Sequence, residues 1–179
     1  MLIVFAGLPG AGKTTIAREI AWRLNATYLR IDTIEQELRA AGTLKSDVTI
    51  EGYAIAYRLA EESLRLGATV VADSVNPVRA TRDAWLAVAA RAGVKAVEVE
   101  IVCSDETEHR RRVEQRISDI PGLVLPGWEA VQARAYEKWP RRPIVIDTAS
   151  ESVDQSVARL LAALQMLSPV TSPGGSRKG

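Results

Sequence analysis

Eight residues near the start of the chain carry the clearest chemistry. Gly7-Leu8-Pro9-Gly10-Ala11-Gly12-Lys13-Thr14 fits G-x-x-x-x-G-K-[ST]. Glycines there let successive backbone N–H groups turn inward as a nest for phosphate oxygens. A helix N-terminus behind the nest adds partial positive charge. The expected nucleotide contacts are Gly7, Pro9, Gly10, Ala11, Gly12, Lys13, Thr14 and Thr15. Lys13 would reach the β- and γ-phosphates, and the Thr14 hydroxyl would ligate Mg²⁺. The alternative is a glycine-rich turn with a chance Lys-Thr. An apolar run before it and a helical pattern after it favour the phosphate loop.

Two aspartates follow at the ends of apolar runs. Asp73 closes Thr69-Val70-Val71-Ala72, where a metal-side carboxylate belongs; the alternative is a plain turn aspartate. Asp32 follows Ala26–Ile31 and is placed to orient or deprotonate an acceptor hydroxyl, or to cap the helix that begins at Thr33. It also lies about where a dinucleotide fold keeps its ribose-binding acid, but G-x-G-x-x-G is absent. Glu35 could assist Asp32 or be a solvated helix residue. Ser74 stands where ATP-driven motors place a second acid, and N-K-x-D does not occur. Transfer to a hydroxyl is therefore favoured over hydrolysis.

A migrating phosphoryl group also needs cations. In Glu108-His109-Arg110-Arg111-Arg112-Val113-Glu114-Gln115-Arg116, helical spacing stacks Arg112 and Arg116 on one face with His109. Arginine's fork suits phosphate oxygens, so Lys13, Asp32, Arg112 and Arg116 form the expected catalytic set. Arg110 and Arg111 fit a solvated face, and His109 an incidental position. Ile120 to Trp128 reads as an apolar loop that covers an acceptor or merely packs. Tyr136, Trp139, Arg141 and Arg142 form an aromatic-basic patch that could stack a base or brace the last strand.

The elements that hold these residues alternate. Short apolar runs at Leu2–Ala6, Ala26–Ile31, Ala68–Ala72, Ala96–Val102 and Pro143–Ile146 read as strands. Helical spacing occupies the intervals, with stops at Asn25, Gly67 and Gly93 and a start at Asn76-Pro77. Right-handed crossovers then give an α/β fold: a parallel sheet with helices on both faces. The expected organisation is one domain over residues 1–167, with a lid around 104–128 and a disordered tail over 168–179.

The 179 residues suit one such domain, and a net charge of +1 makes no global case for nucleic acid or an acidic membrane. Cys103 is the only cysteine, so no internal disulfide forms. No basic leader precedes Leu2, and no run of about 18 apolar residues occurs. The expected compartment is the cytoplasm.

On the phosphate loop, Asp32, Asp73 with Asn76, and the R-x-x-x-R pair Arg112/Arg116, the chain resembles the small P-loop kinase-like proteins labelled AAA family ATPase. These are akin to chloramphenicol phosphotransferase, the zeta toxins and polynucleotide 5′-hydroxyl kinase. The resemblance covers about residues 1–150. It implies a P-loop NTPase fold of nucleoside-kinase type, with a five-stranded parallel sheet in the order 2-3-1-4-5. It also implies ATP and Mg²⁺ as cofactors and adenine held through backbone near Asp147-Thr148-Ala149. Adenylate kinases, also similar, carry Gly after the loop lysine and D-G-F-P-R after the third strand. Here stand Thr14 and Asp73-Ser74-Val75-Asn76-Pro77, so AMP is a poor acceptor. Glu35 occupies the place of an arginine that polynucleotide kinases tend to keep. The expected function is transfer of the γ-phosphoryl group of ATP to a hydroxyl of a small molecule. A polynucleotide 5′-hydroxyl kinase and a non-catalytic ATP-dependent binding protein are the alternatives.

Overall fold

An unbroken apolar run can sit only where both faces of a sheet are covered. Leu2–Ala6 (β1) is such a run, and all five of its residues are fully buried at the centre of a five-stranded parallel sheet. The computed structural model describes residues 1–42 and 50–167. β1 is followed by Lys13–Arg23 (α1), Thr27–Arg30 (β2), Ile31–Ala40 (α2), Ile50–Arg65 (α3) and Val70–Asp73 (β3). Then come Arg79–Arg91 (α4), Ala96–Val102 (β4), Glu106–Gln115 (α5), Trp128–Gln132 (α6), Ile144–Asp147 (β5) and Val153–Leu167 (α7). The strand order is β2-β3-β1-β4-β5, as the sequence predicts. The expected disordered tail, 168–179, lies outside the described residues.

Alternation along each strand divides the core in two. Ile3 and Phe5 of β1 join Val71, Val99 and Ile101 beneath α1 and α7, around Ile16, Ile20, Leu160 and Leu164. Leu2 and Val4 join Val70 and Ala72 on the other face, beneath α3 and α4, around Ala56, Ala60, Trp85 and Val88. Among the described residues no helix is long and apolar enough to cross a membrane.

Asn25 takes a left-handed φ of 48°, and Ala26 N–H reaches back to Ala21 O (2.8 Å) to close α1. Two helix starts differ from expectation. α2 begins at Ile31 with Arg30 as its cap residue, so Asp32 sits inside the first turn and makes no cap. α4 begins at Arg79 behind Val78, because Asn76 is drawn elsewhere: it adopts φ 45°, and its Nδ2 donates to Phe5 O at 2.7 Å. A buried acceptor at the end of β1 outcompetes the local cap.

Parallel strands end level with one another. Asp73 lies opposite Phe5 on one side and Arg30 on the other, so the ends of β1, β2 and β3 converge where the phosphate loop leaves β1.

Candidate active site

The loop from Gly7 to Gly12 is seated from several sides. Gly7 (φ 140°) donates its N–H to Val75 O at 3.1 Å, and a Cβ there would lie 2.2 Å from Ile101 O. At Gly10 (φ 85°) a Cβ would lie 2.5 Å from Val113 Cγ2. His109 Nε2 lies 2.9 Å from Pro9 O. A carbonyl only accepts, so His109 carries a proton on Nε2 and donates to the loop. Thr148 Oγ1 lies 2.9 Å from Ala11 O. Residues about 100 positions downstream in α5, and others after β5, therefore hold the loop, and His109 is part of its frame.

Gly12 precedes α1 in a left-handed conformation, with no side-chain cap and no acid in the first turn. Those N–H groups and the helix dipole suit an anion. Lys13 is buried, with Nζ 3.4 Å from Leu8 O. Desolvation lowers its pKa, while Asp73 and, more weakly, Asp32 pull it back up. Both carboxylates thus share the field of this ammonium. Thr14 is part-exposed and Thr15 exposed at the head of the helix.

Asp73 is 2% exposed, and its Oδ2 accepts from the Tyr28 hydroxyl at 2.7 Å. Burial pushes the Tyr28 phenol up, and Asp73 adds to the shift, so the hydroxyl stays a donor. Asp32 is 46% exposed at its side chain, and Arg30 Nε lies 3.9 Å from its Oδ2. Arg30 is committed elsewhere: Nη1 donates to both oxygens of Asp119, at 2.9 and 3.0 Å. Arg18 of α1 grips the same carboxylate. These hydrogen bonds, Arg30's first, hold the Asp119 carboxyl at about 2. Neither Tyr28 nor Asp119 stood out in the sequence. No spacing rule links them to Asp73 or Arg30, 45 and 89 positions away.

The two arginines do not stack. α5 ends at Gln115, and Arg116 is its extended C-cap (φ −69°, ψ 143°), which swings its side chain off the Arg112 face. Arg112 donates to Thr148 Oγ1 (2.8 Å), Thr148 O (2.9 Å) and Glu108 (2.7 Å), and so braces the loop after β5. Arg116 lies near Asp32, Arg134 and Arg30, and burial lowers its pKa first while Asp32 opposes. Its Nη2 bonds Pro126 O at 3.3 Å. Arg110 pairs with Glu114, and Arg111 with Glu108 and Gln115. Of the expected cations, the structure gathers Lys13 and Arg116 around Asp32 and ties Arg112 to Thr148.

On the α2–α3 side, the Tyr53 phenol lies beside Ser74, the Asn76 backbone, Glu35 and Asp32, and burial pushes its pKa up to about 12. Gly52 makes room for Glu35, whose Cγ would lie 2.5 Å from a Cβ there. Asn76 Oδ1 is buried without a partner. These groups form a polar wall beside Asp32.

Three of the four residues of the aromatic-basic patch are spent internally. Tyr136 and Trp139 stack on Arg82, at 4.9 and 4.0 Å, and Arg141 pairs with Glu98 and Asp83. Tyr136, Trp139 and Arg141 act as a brace.

No group of three or more His, Cys, Asp or Glu side chains suited to a metal occurs among the described residues. Thr14 and Asp73 still fit a Mg²⁺ that takes most of its ligands from phosphates and water. The second oxygen of Asp73 has no donor among the described residues.

A family model described as AAA domain matches residues 2–124. No protein of curated function matches the chain in sequence. Solved structures share the fold across nearly the whole chain. A kinase candidate from Chloroflexus aurantiacus is 20% identical, with a TM-score of 0.71 over 92% of this chain and 96% of that one. A gluconokinase from Sinorhizobium meliloti is 20% identical, with a TM-score of 0.63 over 92% and 91%. The APS kinase CysC of Mycobacterium tuberculosis, in complex with AMPPNP and APS, is 20% identical, with a TM-score of 0.64 over 92% and 96%. The chain shares its architecture with these three structures.

Proposed function

The chain belongs to the AAA domain family, and on that premise we propose that it is an ATP- and Mg²⁺-dependent kinase acting on a hydroxyl of a small molecule. The observation that carries this reading is the pair of carboxylates in the field of one buried lysine. Asp73 is buried and hydrogen-bonded, whereas Asp32 is half-exposed beside a polar wall. Ser74, next after Asp73, supplies no second acid to polarise a water.

The acceptor oxygen attacks the γ-phosphorus as the bond from that phosphorus to the β-γ bridging oxygen breaks. The acceptor's proton passes to Asp32, and ADP leaves with the bridging oxygen. Lys13 and Arg116 stabilise the charge on the transferring group. The backbone nest and the α1 N-terminus hold the remaining phosphates. Mg²⁺, when bound through Thr14 and Asp73, would neutralise charge on the β- and γ-oxygens. Arg112, locked on Thr148, has a framing role rather than the catalytic one expected. In this reading residues 1–167 work as one cytoplasmic domain, with a lid around 104–128 that carries Arg116 over Asp32.

Gluconokinase and APS kinase are named for small acceptors, which supports the acceptor class. The alternative of a polynucleotide end loses its motive, since Tyr136, Trp139 and Arg141 are committed internally.

The test is ADP release from Mg²⁺-ATP with and without pooled sugars, nucleosides, antibiotics and other metabolites. Acceptor-dependent release, lowered about 10²–10⁴-fold in Asp32→Asn, is expected. Tight ATP binding without turnover on any acceptor would instead favour a non-catalytic ATP-dependent binding protein. Full transfer by Asp32→Asn would remove the base role.

A further inference from the structure

Two cations lie beside Asp73, yet neither is paired with it. Lys13 feels Asp73 more strongly than any other carboxylate, but no ion pair within 4 Å joins them. Arg30 stands directly opposite Asp73 in the β2–β3 register, but its guanidinium is turned to Asp119. Among the described residues the partner of Asp73 is a neutral one, the Tyr28 hydroxyl, at 2.7 Å from Oδ2.

The arrangement follows from strand geometry. Tyr28 lies opposite Val71, two residues before Asp73, so both side chains project from the α1 face of the sheet. The ring packs against the core beneath α1 while its hydroxyl reaches along the strand to the carboxylate. An unrestrained carboxylate rotates about its Cβ–Cγ bond. A hydrogen bond to one oxygen stops that rotation and sets the direction of the other. A cation in the same place would orient the group equally well but would cancel the charge that a metal ion needs.

We propose that Tyr28 is a positioning residue that holds Asp73 oriented and un-neutralised for a nucleotide-bound Mg²⁺. Asp119 complements it by drawing Arg30 away from Asp73. The proposal rests on the reading of Asp73 as the metal-side carboxylate, made under the proposed function.

The test is binding of a fluorescent ATP analogue, first without metal and then across a Mg²⁺ titration. It compares the wild type, Tyr28→Phe, Asp73→Asn and the double variant. The phosphate loop is unchanged in Tyr28→Phe, so metal-free binding should stay within about 2-fold of wild type. The half-saturating Mg²⁺ should rise on the order of 10-fold, the usual cost of losing a group that orients a metal ligand. The double variant should be no worse than Asp73→Asn alone, because the hydroxyl acts only through that carboxylate. A Tyr28→Phe titration that overlays the wild type while Asp73→Asn is shifted would overturn the role of Tyr28 and leave the metal site standing. If Asp73→Asn is not shifted either, the metal-side reading fails and this inference falls with it. Loss of metal-free binding in Tyr28→Phe would assign the residue to the fold and likewise overturn the proposal.

Discussion

At Gly10 the phosphate loop makes two separate demands, and a control in the same chain separates them. Gly10 (φ 85°) and Gly67 (φ 89°) share almost the same left-handed backbone, but a Cβ on Gly67 meets nothing within 4 Å, whereas one on Gly10 lies 2.5 Å from Val113 Cγ2. Gly67→Ala therefore isolates the backbone cost, about 1–2 kcal/mol. Gly10→Ala adds a clash with the α5 side chains that seat the loop. We expect Gly67→Ala to lower the melting temperature with nucleotide affinity unchanged. Gly10→Ala should lower both, with the larger effect on affinity; equal affinity in the two variants would show that α5 does not seat the loop. The glycines were legible in the sequence because a phosphate nest needs consecutive inward N–H groups, and only a few residue types allow that. His109 and Val113 were not legible as loop partners. Their role depends on where α5 lands, and helical periodicity shows only which side of α5 they share.

Element boundaries follow the same division. Strands buried on both faces advertise themselves as apolar runs, and helices as a 3.6-residue period, so the sheet, its helices and three of the helix stops were readable. Helix starts were misplaced where a local cap lost to a distant partner, as when Asn76 turned to Phe5 O. Arg116 left the Arg112 face because α5 stops one residue before it, which no periodicity within α5 announces. The segment after α5 is fastened by Asp119, between Arg18 of α1 and Arg30 at the end of β2. That fastening has a definite pH dependence. The folded carboxyl is held at about 2, below its ordinary 3.8, so its contribution is complete above about pH 4 and fades as pH falls towards 2. Asp119→Asn lacks the contribution at every pH. The difference in melting temperature between wild type and variant should be constant near neutrality and shrink towards zero between about pH 4 and 2. Asp119 is 44% exposed, so water and salt keep the effect to about 1 kcal/mol or less. A difference that persists undiminished to pH 2 would mean that the variant acts through packing instead of charge.

Across the whole molecule, stability and site geometry meet in Arg82, a fully buried guanidinium whose hydrogen-bond partners are all carbonyls. Nε donates to Asn76 O (2.8 Å), Nη1 to Glu137 O (2.9 Å) and Nη2 to Pro77 O (3.2 Å), with the Tyr136 and Trp139 rings stacked upon it. It thereby joins the loop after β3 to a segment some 55 residues later. The same loop supports the phosphate site, since Val75 O accepts from Gly7 N–H and Asn76 Nδ2 bonds Phe5 O. Arg82→Met keeps much of the apolar stem but removes all three bonds: buried Asn76 O loses this donor, Glu137 O belongs to an exposed residue that water reaches, and Pro77 O keeps the Glu137 N–H at 2.8 Å. A stranded buried acceptor costs about 1–3 kcal/mol before relaxation, so a net loss of about 1–3 kcal/mol is expected. Arg82→Lys should also destabilise, because a single ammonium cannot reproduce a planar fork aimed at three acceptors. Urea denaturation should show a lower midpoint with an unchanged slope, the mark of lost stability within the same fold. Nucleotide affinity should fall as well, because the loop after β3 is no longer fixed against Gly7. If stability fell and affinity held, the phosphate loop would be self-supporting, and the coupling of stability to the phosphate site through Arg82 would be wrong.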